Sequence, residues 1–541
     1  MNAVKEPDAL TSLRKARRKN RMADLDWFEA AYRVYIVGLG FGGVALWASG
    51  YVADSPVSAQ GVSDVFSRGP AALGMLAVVA FAAGIRSGSR GGPLAVEEAD
   101  VRHVLMAPVD RRKALLRPAV QRLRSAAFTG AAVGALAGEL AGRRLPGSVA
   151  AWALSGAAFG ANIGIIFVAA ALLAHGLRLP RWLSTVIGAM GLGWQLVAIV
   201  KRVPGPANLD GSLALWGMRQ RGIDLLAPAI TLAGGFIGLS LLRRTSLDAL
   251  VRRCGLVAQL RFAVTMQDLR TVMLLRRQLS QENTRSRPWV RLKRTGHTPL
   301  HWRRGWQSLL RFPVSRLLRM TVLAVGLAAA NVGAYRGTAP LFLVGGALSF
   351  LLGMEALEPL SQEVDQPDRT SSFLIERGLL MLKLTAAPMV ALIPFGLIGV
   401  ATVAVLDRGI SHLALALLLG IPVLWTGAAG AAVSIVKDAP DAVSSNAVNS
   451  MMPPELSGMT TMVRMLIPLL PAMFGNVGVL IVSSARRHGQ SEIGVAVRML
   501  VFQLLLCAFV GWWIRRRDSW RIKINEFMAE GRQATAQKRA T

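Results

Sequence analysis

The side chains with chemical reactivity in this chain are few, and their spacing does not assemble a catalytic site. The six histidines show no metal-ligand spacing and stand at positions 103, 175, 297, 301, 412 and 488. The two cysteines, Cys254 and Cys507, suggest no disulfide framework. The chain has no Gly-Lys dipeptide, so it lacks the loop that cradles phosphates in many nucleotide-hydrolysing proteins. The sequence therefore predicts a protein that is not an enzyme, with no catalytic residue, metal ligand or cofactor of its own.

Polar side chains inside the apolar segments are a second place to look for function, because burying them in a membrane is costly. The ionisable ones, including Glu355, Glu358, Lys383 and Arg498, are expected to reach the membrane surface. The mid-segment polar groups are neutral, and they are Asn162, Gln195, Asn331 and Asn476. Hydrogen bonds between helices account for them, and lining a substrate pathway is the alternative. The sequence offers no set of acids suited to coupling an ion gradient, which favours energy from another subunit.

Two segments rich in acids and proline form the third group of candidates, and they hold equivalent places in the two halves of the chain. The first runs from Gly91-Gly92-Pro93-Leu94 through Glu97, Glu98 and Asp100 to Pro108 and Asp110. The second runs from Glu358-Pro359-Leu360 through Glu363 and Asp365 to Arg369. Each follows the second apolar span of its half. This order indicates an internal repeat, and transport commonly runs along the interface between two such halves.

The first segment has the pattern of a short amphipathic helix. Pro93 and the acids after it suit the first turns of a helix. Its apolar face consists of Leu94, Val101, Val104 and Leu105. A helix held between two membrane spans can fit a groove on a neighbouring protein and pass force to both spans. The alternative is an ordinary surface loop that contains a helix.

The elements that position these groups are long apolar helices. Hydrophobic residues make up 53% of the 541-residue chain, and charged residues only 17%. Apolar runs long enough to cross a bilayer occur twelve times, at 34–53, 70–86, 126–142, 149–176, 183–200, 222–242, 317–335, 339–360, 379–406, 412–436, 466–484 and 493–514. The predicted fold is an all-α polytopic membrane protein of about twelve transmembrane helices in two parallel six-helix halves.

The net charge of +31 does not indicate nucleic-acid binding. With both termini inside, most Lys and Arg residues fall in the segments that this topology places in the cytoplasm, which is the positive-inside pattern. Attraction to anionic lipid headgroups explains these basic segments, so membrane lipid is an expected partner and nucleic acid is not. The expected location is a bacterial inner membrane, crossed many times, with the N- and C-termini cytoplasmic.

The spans and basic segments predict five regions. Residues 1–33 form a cytoplasmic amphipathic lead, and residues 34–242 form the first six-span half, whose cytoplasmic loop covers 86–125. Residues 243–316 form a basic helical linker, within which Trp302 and Trp306 predict either a surface helix before the seventh span or simple membrane anchors. The second six-span half covers 317–514, with a cytoplasmic loop at 361–378. A basic cytoplasmic tail covers 515–541.

The stretch Pro93-Leu94 … Asp100 … Leu105-Met106-Ala107-Pro108 resembles the loop between the second and third spans of bacterial type-2 ABC exporter permeases. Residues 261–288, rich in Arg, also resemble cytoplasmic helices of large members of that family. The resemblance implies two copies of a cytosolic ABC ATPase as partners, with ATP and Mg on those subunits. It implies that coupling residues in the first loop are Pro93, Leu94, Asp100, Leu105, Pro108 and Asp110. Their weaker counterparts in the second loop, which has no Ala-Pro, are Pro359, Leu360, Asp365 and Arg369.

The sequence therefore predicts the permease subunit of an ABC transporter, an exporter, with its substrate unknown. The main alternative is a twelve-span secondary transporter of the major facilitator type. Asp110-Arg111-Arg112-Lys113 has some likeness to its basic motif, although that motif requires a much shorter loop. A scaffold or membrane-biogenesis component without transport is a third possibility that the residues leave open.

Overall fold

A computed structural model describes most of the chain. The long described stretches are 56–89, 110–201, 203–246, 299–364, 375–407, 409–437 and 466–540, and the short ones are 42–43, 47, 49–52, 92, 94, 96, 101–105, 250–251 and 287–291. The chain divides into two compact units, Met1–Thr265 and Met266–Thr541. The predicted lead at 1–33 and the helical, Arg-rich part of the predicted linker at 252–286 lie outside the described residues.

Unit 1 contains six labelled helices. They are α1 (Ala59–Gly88), α2 (Arg111–Gly142), α3 (Val149–Gly176), α4 (Arg181–Lys201), α5 (Asn208–Ala214) and α6 (Leu226–Ser240). A 3-10 turn precedes α6 at Gly222–Leu225, and another follows it at Leu241–Arg244. The serine hydroxyls of Ser58 and Ser148 cap the first turns of α1 and α3 by accepting backbone N–H groups.

The described residues of unit 2 form nine α-helices. They are α7 (Leu300–Leu309), α8 (Val314–Tyr335), α9 (Leu341–Ala356), α10 (Glu358–Val364), α11 (Arg377–Ala391), α12 (Ile393–Leu406), α13 (Ile410–Val436), α14 (Leu470–Arg487) and α15 (Glu492–Ala540). Helices α9 and α10 are bent by 62° at Leu357. Helix α15 is 49 residues long, so the last span continues into the predicted tail as one helix.

The prediction of an all-α polytopic membrane protein is confirmed. The described residues contain no β-strand. Nine of their helical segments are long and apolar enough to cross a membrane, or ten if α9 and α10 count as one span. Of the other two predicted spans, the one at 34–53 lies mostly outside the described residues. The one at 126–142 forms the second half of α2, which is long enough but less apolar than the others.

Helix α2 is held against α3 by a repeat of glycines, which compensates for its low apolar content. A Cβ on Gly130, Gly134 or Gly138 would overlap the α3 backbone at Gly160, Gly156 or Trp152 respectively. Small residues spaced by four let two helix backbones approach closely, and van der Waals packing then stabilises the pair. The Gly- and Ala-rich composition of this span is therefore the basis of its packing.

The two units share one scheme of helix packing, which supports the internal repeat. In unit 1, α3 packs against α1, α2 and α6, and α4 packs against α1. In unit 2, α13 packs against α9, α12 and α15, and α14 packs against α9. In both units the fourth predicted span is thus the central helix, and the fifth packs against the second. The acidic segments follow α1 and α9, which occupy the same place in this scheme.

Candidate functional site

The candidate site is the pair of connecting segments that follow α1 and α9, at what we call the connector end of each unit. In unit 1, the chain leaves α1 through a turn at Gly92, whose φ of +78° favours glycine. The His175 ring of α3 lies against this turn, and its Nδ1 donates a hydrogen bond to the Gly88 carbonyl over 3.3 Å. A glycine is therefore required here by both backbone conformation and space.

Beyond the turn, the first connecting segment folds back onto its own unit. Leu94, Val101 and Leu105 are buried in one apolar cluster, whose other members include Leu115 of α2 and Leu172 of α3. Val101–Leu105 form a single π-helical turn, while Leu94 and Val96 are not helical. The prediction that Leu94, Val101 and Leu105 share an apolar side agrees with their burial. The prediction of one regular helix through all of them is wrong.

Asp110 joins this segment to two helices. Its Oδ1 caps α2 by accepting the Arg112 backbone N–H over 3.0 Å. Its Oδ2 lies 3.1 Å from Nη2 of Arg243, in the 3-10 turn that ends the sixth predicted span. The Arg112 hydrogen bond lowers the pKa of the Asp110 carboxyl below its usual value, and the charge of Arg243 acts in the same direction. Asp110 therefore stays ionised and links the start of α2 to the end of α6.

At the equivalent place in unit 2, the described residues of the connecting segment form the short helix α10. Pro359 and Leu360 are buried in α10, and Leu360 is completely inaccessible. Glu363 of α10 forms an ion pair with Arg304 of α7, in which the Glu363 side chain is only 8% exposed. Trp302 and Trp306 of α7 pack against the main apolar cluster of unit 2. The helix before the seventh span therefore exists and is fixed to α10.

A second set of ion pairs ties the end of α9 to α8. Nη2 of Arg316 lies 3.1 Å from Oε2 of Glu358, and Nε of Arg316 lies 3.1 Å from Oε2 of Glu355. Nη2 of Arg319 lies 2.7 Å from the same Glu355 oxygen. The Arg316 guanidinium also stacks on the Phe312 ring at 4.0 Å. Glu355 and Glu358 are both buried and paired with arginines of α8, and the expectation that they reach the membrane surface stays a prediction.

The predicted coupling residues fall into two groups. Leu94, Leu105, Asp110, Pro359 and Leu360 are described, and they anchor the connecting segments to their own units. The others lie outside the described residues, and they are Pro93, Asp100, Pro108, Asp365 and Arg369. Sequence reasoning missed the basic partners Arg243, Arg304 and Arg316. The available signal was that Arg243 and Arg316 stand directly beside predicted spans and that Arg304 stands between Trp302 and Trp306, but positive-inside charge alone accounts for such arginines.

The four polar residues predicted as possible pathway residues make contacts between helices. The Gln195 amide of α4 donates to the Ala71 carbonyl of α1 over 2.7 Å. In unit 2, the Asn476 amide of α14 donates to the Phe342 carbonyl of α9 over 2.6 Å. Both are contacts from a fifth span to a second span, so the repeat extends to individual side chains.

The other two candidates, Asn162 and Asn331, have different surroundings. Asn162 Nδ2 donates to Oδ1 of Asp210 on α5 over 2.7 Å. Burial raises the pKa of the Asp210 carboxyl above its usual value. Asn331 lies beside Asn476 where both approach Gly345, and it also lines a cavity in unit 2. All four polar residues therefore contact neighbouring helices, and Asn331 also lines the cavity.

Among the described residues, no three His, Cys, Asp or Glu side chains are grouped so that they could hold a metal ion. The carboxylates at the connector ends are engaged instead by arginines and by a backbone N–H. The geometry there is suited to mechanical connection between helices.

Comparison with protein families gives one match, to a family of unknown function (DUF6297), over residues 67–364. That is more than half of the chain. The chain belongs to the DUF6297 family. No curated protein and no solved structure gives a significant match. The DUF6297 region runs from within α1 to the end of α10, so it contains the first connecting segment, the α10 part of the second and the helix α7 that lies beside α10.

Proposed function

We propose that this chain is the membrane-spanning permease subunit of an ABC transporter, an exporter, powered by separate cytosolic ATPase subunits. The connector ends face the cytoplasm of a bacterial cell, and one ATPase docks at each. ATP-driven closure of the two ATPases pushes on the connecting segments and changes the access of the transmembrane path. The transported substrate is not specified by these residues.

The observation that carries this proposal is that each connecting segment is tied to a helix other than its immediate neighbours in the chain. Asp110 pairs with Arg243 in unit 1, and Glu363 pairs with Arg304 in unit 2. A force applied to such a segment reaches several helices together, whereas an untethered loop would absorb it. This arrangement is what a permease driven by an external motor requires.

The burial of Leu94, Leu105 and Leu360 refines the expected roles of these residues. Because their side chains lie inside their units, they hold the segments in place instead of contacting an ATPase directly. The ATPase would contact exposed side chains nearby, such as those of Arg111 and Gln362. Substitution of the buried leucines would therefore weaken docking indirectly, by releasing the segment.

The test is co-purification of the full-length, tagged chain with candidate ABC ATPases of the source organism, followed by mass measurement of the complex. Two ATPases per chain support the proposal. Asp110→Lys combined with Glu363→Lys should lower the yield of complex severalfold, because each places like charges together. Asp64→Lys is the matched control, since Asp64 pairs with Arg68 on an exposed face of α1, away from the connector end.

Two results would replace the proposal. If no ATPase binds and the purified protein in liposomes responds to a proton gradient, the chain is a secondary transporter. If it binds no ATPase and moves no solute under either energy source, a scaffold function takes precedence.

A further inference from the structure

Unit 2 contains a cavity of about 100 Å³ at the end opposite its connector end. Helices α8, α12, α13 and α14 supply its walls, which are mostly aliphatic and include Leu327, Val400 and Leu419. Gly396, Gly399 and Gly420 also line it, so several wall positions carry no side chain. The space exists because α12 packs against both α8 and α13 while small residues keep the region between them open.

One end of this cavity is polar and carries a carboxylate. Asp407, in the link between α12 and α13, is the one acidic side chain among the described residues that line the cavity. Its Oδ1 lies 3.1 Å from Nδ1 of His412, and its Oδ2 lies 3.3 Å from Nη2 of Arg336. The Arg336 side chain is half exposed and also donates to the Leu406 carbonyl. The guanidinium therefore approaches Asp407 from outside the cavity.

Aromatic rings stand beside this carboxylate. The Tyr335 and His412 rings meet edge to face with centroids 5.7 Å apart, and Phe395 lines the cavity as well. The Tyr335 hydroxyl donates to Oε2 of Glu492 over 2.6 Å, which fixes its ring. The Arg486 guanidinium already lies 5.3 Å from the Tyr335 ring centroid. This ring thus interacts with a cation within the protein itself.

We propose that this cavity is a binding site for a small amphipathic organic cation, a short alkyl chain that carries an ammonium. The apolar part fills the cavity, and the ammonium lies beside Asp407 and the faces of Tyr335 and His412. Aromatic rings attract cations through their negative faces, and the attraction strengthens where water is excluded. Because Arg336 already pairs with Asp407, the preference for a cation over an anion comes from the carboxylate and the rings together. A cavity of about 150 Å³ binds benzene, so this smaller cavity takes a short alkyl chain as the apolar part.

The proposal does not depend on an ATPase partner, so it can be tested on the purified full-length chain. The probes are butyltrimethylammonium and its anionic counterpart butanesulfonate. In a chain with Cys254→Ser and Cys507→Ala, a single cysteine is introduced at Ala416, which lines the cavity, or at the neighbouring Leu417, which is exposed. The first measurement is the rate of maleimide labelling with and without each probe. The second is a calorimetric titration of each probe into the chain that has Ala416 and Leu417 unchanged.

The expected result is that butyltrimethylammonium slows labelling at position 416 but not at 417, and that butanesulfonate slows neither. Asp407→Asn should weaken binding of the cation about tenfold. Val400→Trp should abolish it by filling the cavity. An unchanged unfolding temperature of these variants shows that the fold persists. Equal protection by both probes, or protection that survives Asp407→Asn, would overturn the proposal, as would a titration without binding.

Discussion

Asp110 and Arg243 form a contact that joins the start of α2 to the 3-10 turn after α6. Their Oδ2 and Nη2 atoms are 3.1 Å apart. In unit 2, Glu363 and Arg304 join the helix after the eighth span to the helix before the seventh. Both pairs connect elements that are distant in sequence, and we propose that an ATPase acts on the permease at these places. The proposed coupling function depends on these connections.

The first prediction separates the two contacts of Asp110. Asp110→Asn keeps an oxygen that can cap α2 but removes the charge that pairs with Arg243, while Asp110→Ala removes both. In the complex with its ATPase, Asp110→Asn should leave thermal stability nearly unchanged and lower the coupling of ATP hydrolysis to transport severalfold. Asp110→Ala should lower both stability and coupling. Exchange of the charges, with Asp110→Arg and Arg243→Asp together, should recover part of the coupling. Equal coupling in all four proteins would contradict the assigned role.

The second prediction concerns the ion pair between α7 and α10. Because the Glu363 side chain is buried, removing Arg304 leaves a carboxylate without this partner, and Arg304→Ala should destabilise unit 2 by about 3 kcal/mol. Thermal unfolding of the purified chain measures this loss. Arg68→Ala is the control, since its pair with Asp64 is exposed and contributes less than about 1 kcal/mol. Similar losses of stability from the two substitutions would show that the buried ion pair contributes no more to stability than the exposed one.

The third prediction addresses the glycine contact between α2 and α3. Gly134→Ala places a methyl group against the backbone of Gly156 and should destabilise the protein by about 1–3 kcal/mol. Gly193→Ala, at an open position on α4, should leave stability unchanged or raise it slightly, because alanine favours helix more than glycine. Unfolding temperatures of the two variants give the comparison. A loss at Gly193 as large as that at Gly134 would exclude close packing as the cause.

The fourth prediction follows from the raised pKa of Asp210. A carboxyl whose pKa is raised on folding contributes stability that is fully present below its usual pKa of 3.8 and is lost as the pH rises through the raised value. Acidifying the purified chain from about pH 8 to pH 4 should therefore add a stabilising contribution from this group. Asp210→Asn should reduce the dependence of unfolding temperature on pH in this range. An identical pH profile in wild type and variant would show that Asp210 does not titrate there.

Much of the fold could be predicted from the sequence because membrane helices need long apolar runs. The helix at 300–309 was also visible, since Trp302 and Trp306 recur at helical spacing. Hydropathy gives only a weak signal for the third predicted span, because hydropathy ignores packing. The regular spacing of Gly130, Gly134 and Gly138 was the better signal for this helix.

The candidate site was only partly predictable, because its contacts join residues far apart in the chain. The acids Asp110 and Glu363 stood out beside prolines and leucines, but nothing local identifies Arg243 or Arg304 as their partners. The cavity beside Asp407 was not foreseen for the same reason. Its walls come from four helices, and its polar end combines Tyr335, Asp407 and His412, which no sequence spacing connects.

The central claim, that ATPases dock at the connector ends, is tested most directly by cysteine cross-linking in the cysteine-free chain. Single cysteines are placed at Arg111 beside the first connecting segment, at Gln362 in α10, and at Gln490 as a control between α14 and α15, all exposed positions. A thiol-reactive cross-linker is then applied to the complex with a candidate ABC ATPase. We predict cross-links from positions 111 and 362, with a pattern that changes when ATP is added, and none from 490. Cross-links absent from 111 and 362, or equally strong from 490, would contradict the account.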